Sequence, residues 1–199
     1  MAVVPGSAAP GRAVPGAVSM MQQIARLSGS IVARAAARGV TIAVAESLTG
    51  GLVAATIVRT PGASSVLRLG VVAYATAMKH EVLRVPAQLL ADRGAVDPDV
   101  AIAMARGVRQ LAAVDRGPCT IGVATTGVAG PEPQDGRPPG EFHVGIEIET
   151  TGGRVALSSS HRASGDREAV RAAALLAALQ QLDAALDRTD LQTHSQSTP

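Results

Sequence analysis

The sequence predicts an α/β fold: a single three-layer αβα domain with a mixed sheet and helices on both faces. Three observations carry that prediction. Short apolar runs at residues 40–45, 70–74 and 118–125 are bounded by turn residues and read as buried strands. Segments with helical periodicity fall between them. Finally, Phe142, Val144, Ile146 and Ile148 alternate with polar or small neighbours, the period-two pattern of a half-buried strand.

In chain order, residues 1–19 are dominated by Ala, Gly, Pro, Val and Ser without periodicity and are predicted to be disordered. Ser19 offers an N-cap, and Ile24, Leu27, Ile31 and Val32 form one helical stripe that stops at Gly39, a good residue just past a helix end. The strand at 40–45 runs into the polar pair Glu46-Ser47, and residues 50–59 read as helix. Turn chemistry at 60–65 leads to the second strand, 70–74, and a helix at 77–83. Pro86 opens a short helix closed by Gly94. Asp97-Pro98 then supplies an N-cap and an N1 proline for a longer helix through about Leu111. After the third strand, residues 126–140 hold four prolines and four glycines and are expected to be loop. The alternating strand follows, then a turn at Thr151-Gly152-Gly153, a hairpin partner at 154–159 and a long helix at 166–187. The domain is thus expected over 20–188, with 189–199 a loose polar tail.

Composition narrows the function classes. The chain has 199 residues, 47% hydrophobic and 17% charged, enough for one sizeable core. No uninterrupted apolar run approaches the roughly 18 residues of a membrane helix, and the N-terminus lacks the apolar core of a secretory signal. No membrane partner and a cytoplasmic location are the expectations. Eighteen basic and sixteen acidic residues give a net charge of +2 with no basic stripe, and Tyr74 and Phe142 are the only aromatic rings. Nucleic acid, which selects for basic surfaces and stacking platforms, is not an expected partner. One cysteine, Cys119, within an apolar strand, excludes an internal disulfide and reads as a small buried hydrophobe. His80, His143, His161 and His194 lack metal-binding spacing, so neither a metal nor a cofactor is expected.

Chemistry concentrates in three places. In Ala45-Glu46-Ser47-Leu48-Thr49-Gly50-Gly51 a buried strand meets a helix start, where free N–H groups favour anions and Gly50 and Gly51 permit close approach. Ser47 there is a candidate nucleophile; alternatively Ser47 or Thr49 caps the helix. Lys79 is the sole lysine beside seventeen arginines, and only a lysine can lose its proton on burial. Five residues upstream stands the sole tyrosine, Tyr74, so a Ser-Tyr-Lys constellation competes with an exposed lysine beside a half-buried tyrosine. The strand-to-loop passage Thr125-Thr126-Gly127-Val128-Ala129-Gly130-Pro131 has the glycines and hydroxyls of an oxyanion cradle, or is an ordinary turn. Arg167, at the start of the last helix, reads as a phosphate or carboxylate clamp or as a surface ion-pair residue.

Taken together, AESLTGG at 45–51, LGVVAYATAMKHEVL at 69–83, GAVDPDVAIAMARG at 94–107, TTGVAGP at 125–131 and SGDREAVR at 164–171 resemble the CinA C-terminal domain family over about residues 20–187. The resemblance implies hydrolysis of the carboxamide of nicotinamide mononucleotide to nicotinate mononucleotide and ammonia, in pyridine nucleotide recycling. It also implies a homo-oligomer. By the same resemblance Ser47 is the nucleophile, Lys79 and Tyr74 activate it and manage protons, and Thr126, Gly127 and Arg167 bind the nucleotide. The Thr49 and Gly50 amides are the expected oxyanion donors, and Glu46 is expected to orient Lys79 or bind substrate hydroxyls, or else to be structural. Leu48 stands where many members have cysteine, and Asp97 replaces a common serine. Glu132-Pro133-Gln134-Asp135 departs from the usual glycine-rich continuation. A non-catalytic nucleotide-binding module is the competing expectation.

Overall fold

A computed structural model describes residues 19–114 and 117–189. The N-terminal segment before Ser19 and the tail after Thr189 lie outside the described residues. Ser19 itself is the N-cap of α1 (Met20–Ala37), where its hydroxyl accepts the Gln22 N–H and the Gln22 side chain returns the bond. The remaining elements are β1 (Ile42–Glu46), α2 (Leu52–Val58), β2 (Leu67–Val72), α3 (Thr76–Glu81), α4 (Ala87–Arg93), α5 (Pro98–Leu111), β3 (Ile121–Gly127), β4 (Glu141–Thr150), β5 (Gly153–Arg162) and α6 (Arg167–Thr189). The sheet order is β2-β1-β3-β4-β5, with β1 parallel to β2 and β3 and the β3-β4-β5 part antiparallel. The mixed sheet and the helices on both faces are as expected.

The alternation of side chains divides the sheet into two unlike faces. Ile42 and Val44 of β1, Ile121 and Val123 of β3, and Phe142, Val144, Ile146 and Ile148 of β4 pack with α1, α2 and α6. Ala43, Ala45 and Ala124 lie on the other face with Val100, Met104, Ala105 and Val108 of α5. Small residues let α5 approach closely. A Cβ on Gly145 would fall 2.2 Å from the Ala101 carbonyl carbon, and one on Gly122 would fall 2.1 Å from the Ala105 oxygen. By length and average composition α6 is the one described helix that could cross a membrane, which narrows the expectation above. Its apolar run is broken by Gln180, Gln181 and Asp183, and Leu179, Leu182 and Leu186 are buried in the core.

Several boundaries differ from expectation, each for a visible reason. Gly50 and Gly51 have φ of +60° and +99°, a left-handed path no helix follows, so α2 starts at Leu52 rather than at residue 50. Thr126 and Gly127, expected in a loop, remain in β3 because they pair with His143 and Phe142. Tyr74 lies beyond β2, which ends at Val72. Thr189, assigned to the loose tail, is in α6 and buried, its hydroxyl donating to the Leu186 carbonyl.

Chain path places the site. From β1 the chain turns through α2 to β2 on one side, whereas from β3 it turns to β4 on the other. A crevice opens at the carboxyl ends of strands whose connections diverge in this way. Ser47 and the Gly127–Gly130 segment both lie there.

Candidate active site

Glu46, the last residue of β1, is 1% exposed, and its carboxylate accepts the N–H groups of Gly51 (2.9 Å), Val53 (3.1 Å) and Ala54 (2.9 Å). It therefore caps α2, favoured by the positive end of the helix. Two expectations are corrected by this. Glu46 neither orients Lys79 nor faces a substrate, and neither Ser47 nor Thr49 caps the helix.

The turn after β1 is held from several sides. The Ser47 N–H donates to the Thr125 carbonyl (3.0 Å), and the buried hydroxyls of Thr49 and Thr125 are 2.7 Å apart. The Gly50 N–H donates to the Ser47 carbonyl (3.0 Å), so it is not free to bind an oxyanion as expected. Among the described residues, the Leu48 and Thr49 N–H groups have no acceptor. The Thr49 amide is thus without an acceptor among the described residues, while its side chain is internal.

Lys79 is 1% exposed and reaches this turn from α3. Its Nζ is 3.1 Å from Ser47 Oγ, 3.0 Å from the Ala73 carbonyl and 3.4 Å from the Tyr74 carbonyl. No carboxylate touches it among the described residues. Burial lowers its pKa to about 8, against the opposing effect of the Asp135 negative charge. A neutral amine suits these neighbours: two N–H groups serve the two carbonyls, and the lone pair accepts the Ser47 O–H. Ser47, 8% exposed, touches both this amine and the crevice.

The Ser-Tyr-Lys constellation is only partly assembled. Tyr74 gives Lys79 its carbonyl, but the residue is 60% exposed and its hydroxyl accepts from Arg167 Nη2 (2.8 Å). The expected proton-handling phenol is therefore directed to the rim. Arg167 also donates to the Gly130 carbonyl (2.8 Å), which leaves guanidinium donors over for an anion. Ser47, Tyr74, Gly127, Gly130, Gln134 and Arg167 line a cavity of about 90 Å³. Gly127 is needed for strand packing, since a Cβ there would lie 2.4 Å from the Phe142 Cβ. Thr126 does not face this cavity: its buried hydroxyl donates to the Ala95 carbonyl (2.6 Å), which corrects its assignment as a direct ligand. Gly51 permits the turn rather than contacting the cavity.

Three contributors lay in the motifs of the sequence reading without being assigned the roles they have here. Thr125 anchors Ser47 through its carbonyl. Arg171 Nη2 donates to the Thr49 carbonyl (2.9 Å), joining α6 to the nucleophile turn. Its i+4 spacing from Arg167, placing both on one helical face, was the available signal. Gln134 lines the cavity from the loop that departs from the family pattern. Cys119 and His143 are buried, and no group of three or more His, Cys, Asp or Glu side chains among the described residues is placed to hold a metal ion.

Fold and site together define a class: a three-layer α/β domain with a buried serine–lysine pair at the carboxyl edge of its parallel strands. Residues 24–186 match the family model of the CinA C-terminal domain, and the chain belongs to that family. It is 40% identical over 176 residues to a CinA-like protein of Frankia casuarinae, covering 87% of this chain and 39% of that protein. With a CinA-like protein of Anaeromyxobacter sp. (strain Fw109-5) it shares 47% identity over 163 residues, 80% of this chain and 37% of the relative. The chain thus spans less than two fifths of these curated relatives. The crystal structure of competence/damage inducible protein CihA from Agrobacterium tumefaciens superposes with a TM-score of 0.73 at 30% identity, covering 89% of this chain and 99% of that one. A competence damage-inducible protein A from Klebsiella pneumoniae gives 0.75 at 30% identity, covering 82% and 97%.

Proposed function

We propose that this domain is an amidohydrolase that converts nicotinamide mononucleotide to nicotinate mononucleotide and ammonia. The observation that carries the reading is the buried Lys79 amine 3.1 Å from Ser47 Oγ, without a carboxylate to hold it charged. A serine needs an adjacent base to attack an amide, and a lysine with a pKa near 8 is neutral often enough at physiological pH to serve.

In the acylation step Ser47 Oγ attacks the carboxamide carbon as its proton passes to Lys79 Nζ. The oxyanion meets the free amides of Leu48 and Thr49. Lys79 then returns the proton to the leaving nitrogen, which departs as ammonia, and an ester to Ser47 remains. Water, deprotonated by Lys79, attacks that ester and releases the carboxylic acid and Ser47. Arg167, pinned by Tyr74 and Gly130, offers its remaining donors to the phosphate. The 90 Å³ cavity suits the carboxamide end of the ligand, with the ribose phosphate extending past the Arg167 rim.

The test is ammonia release from nicotinamide mononucleotide by the purified chain, with Ser47→Ala alongside. Release by the parent and loss in the variant support the proposal. Binding without release, unchanged by the substitution, would instead make the domain a nucleotide-binding module.

A further inference from the structure

The turn that carries Ser47 is weakly held by its own backbone. Gly50 and Gly51, which close it, have φ of +60° and +99°, and glycine rotates more freely than any other residue. Within the turn the Thr49 carbonyl accepts only a long bond from the Leu52 N–H (3.3 Å). What fixes Thr49 comes from outside. Its hydroxyl is 2.7 Å from that of Thr125 on β3, and its carbonyl accepts Arg171 Nη2 of α6 at 2.9 Å. The same nitrogen lies 3.5 Å from where a Cβ on Gly50 would be, so the guanidinium rests against the Thr49–Gly50 peptide itself. Side chain, carbonyl carbon and amide nitrogen radiate from one tetrahedral carbon. With the first two anchored on β3 and α6, the direction of the Thr49 N–H is set, and with it the tilt of the Leu48–Thr49 peptide at the centre of the turn.

We propose that Arg171 is a positioning residue for the reaction: from α6 it holds the Thr49 carbonyl, and so keeps the turn that presents Ser47 in its reactive shape. The proposal rests on Ser47 as the nucleophile of the reaction above. Arg171 does not line the cavity, so it acts through the turn rather than on the substrate. Its guanidinium is aimed by Glu168, one turn earlier on the same helix, whose carboxylate takes Nη1 at 2.6 Å. A permanently charged donor makes a hydrogen bond roughly twice as strong as a neutral one, which suits an anchor on a turn closed by two glycines. Arg167, four residues before Arg171, meets the Gly130 carbonyl and the Tyr74 hydroxyl. The first turns of α6 therefore hold the nucleophile turn and the rim of the cavity from one rigid element.

A misplaced reacting group costs turnover rather than ground-state binding, so Arg171→Ala should lower kcat for ammonia release by about 10²-fold and leave KM nearly unchanged. Guanidinium added at concentrations far below those that unfold proteins should refill the site and raise kcat of Arg171→Ala saturably. Urea, of the same shape but neutral, should not. Arg171→Lys keeps a charged donor for the same carbonyl and should fall between Arg171→Ala and the parent. An unchanged kcat in Arg171→Ala overturns the proposal, as does a raised KM with kcat preserved, which would make Arg171 a substrate ligand. Equal rescue by urea, or a lysine variant as slow as Arg171→Ala, overturns it too. A second readout does not depend on the substrate: the rate at which a fluorophosphonate phosphonylates Ser47, followed by intact mass, should fall and be rescued in the same order. If the parent is labelled but releases no ammonia, the amidase reading fails and the labelling rates still decide the role of Arg171. A parent that is not labelled at Ser47 either overturns both.

Discussion

Two cations are buried among the described residues, Lys79 at 1% and Arg109 at 3% exposure, and their surroundings are opposite. Arg109 lies between acids: its Nε is 3.1 Å from Glu147, its Nη1 is 2.7 Å from Glu149, and Nη1 also donates to the Cys119 carbonyl. Glu147 in turn takes Arg106 at 2.8 Å. Lys79 meets a hydroxyl and two carbonyls, all neutral. The difference teaches what a buried cation is for. An always-charged guanidinium surrounded by carboxylates joins α5 to β4, whereas an amine deprived of a carboxylate holds its proton less tightly, as the proposed base must.

The comparison breaks most visibly at Lys79. Replacing it with Met preserves volume but removes the base, and ammonia release from nicotinamide mononucleotide should fall by at least about 10³-fold with the fold intact by circular dichroism. Lys79→Arg should be equally inactive, since it keeps donors but not a neutral form; activity in that variant would overturn the base assignment. The converse substitution, Glu147→Ala, leaves Arg109 without its most buried partner. It should cost about 3–5 kcal/mol in urea unfolding while kcat of the folded fraction stays unchanged.

Protonation sharpens the contrast. With a neutral Lys79 required, kcat/KM should rise with pH up to about 8 and then level off. Stability follows the same group. The folded pKa of about 8 lies below the ordinary 10.5, so between these values the unfolded chain binds more protons, and stability should increase with pH across that window. Unfolding free energies of Lys79→Met, measured beside the parent, should lack this increment. The smallest effect is expected at the rim: Arg167→Ala removes a phosphate partner and should raise KM by about tenfold, with a smaller change in kcat, as steady-state kinetics would read.

Much of the site was legible because its residue types are chemically singular. A sole lysine, a serine at a strand-to-helix passage and an arginine at a helix start all pointed to the crevice; Ser47 and Arg167 line it, and Lys79 lies buried behind Ser47. Glu46 and Thr126 were harder, because sequence does not reveal which way a side chain turns at a strand end. Glu46 turned inward to the amides of α2, Thr126 to the Ala95 carbonyl. Tyr74 illustrates the same limit, since its carbonyl and its hydroxyl serve different partners. Arg171 and Thr125 act through contacts spanning 122 and 76 residues respectively; the i+4 spacing puts Arg171 on the helical face of Arg167, but which turn that face meets is decided only by the fold.

By itself the sequence determined the alternation of strands and helices, because side-chain periodicity and the Gly, Pro and Asp residues at turns act over a few neighbouring positions. It also determined the unlike faces of the sheet, with bulky residues at one parity and small ones at the other. Tertiary structure alone decided that Lys79 is buried without an acid. That property depends on where Ser47 and the Ala73 and Tyr74 carbonyls come to rest around one amine, and on the burial that the surrounding fold imposes on it.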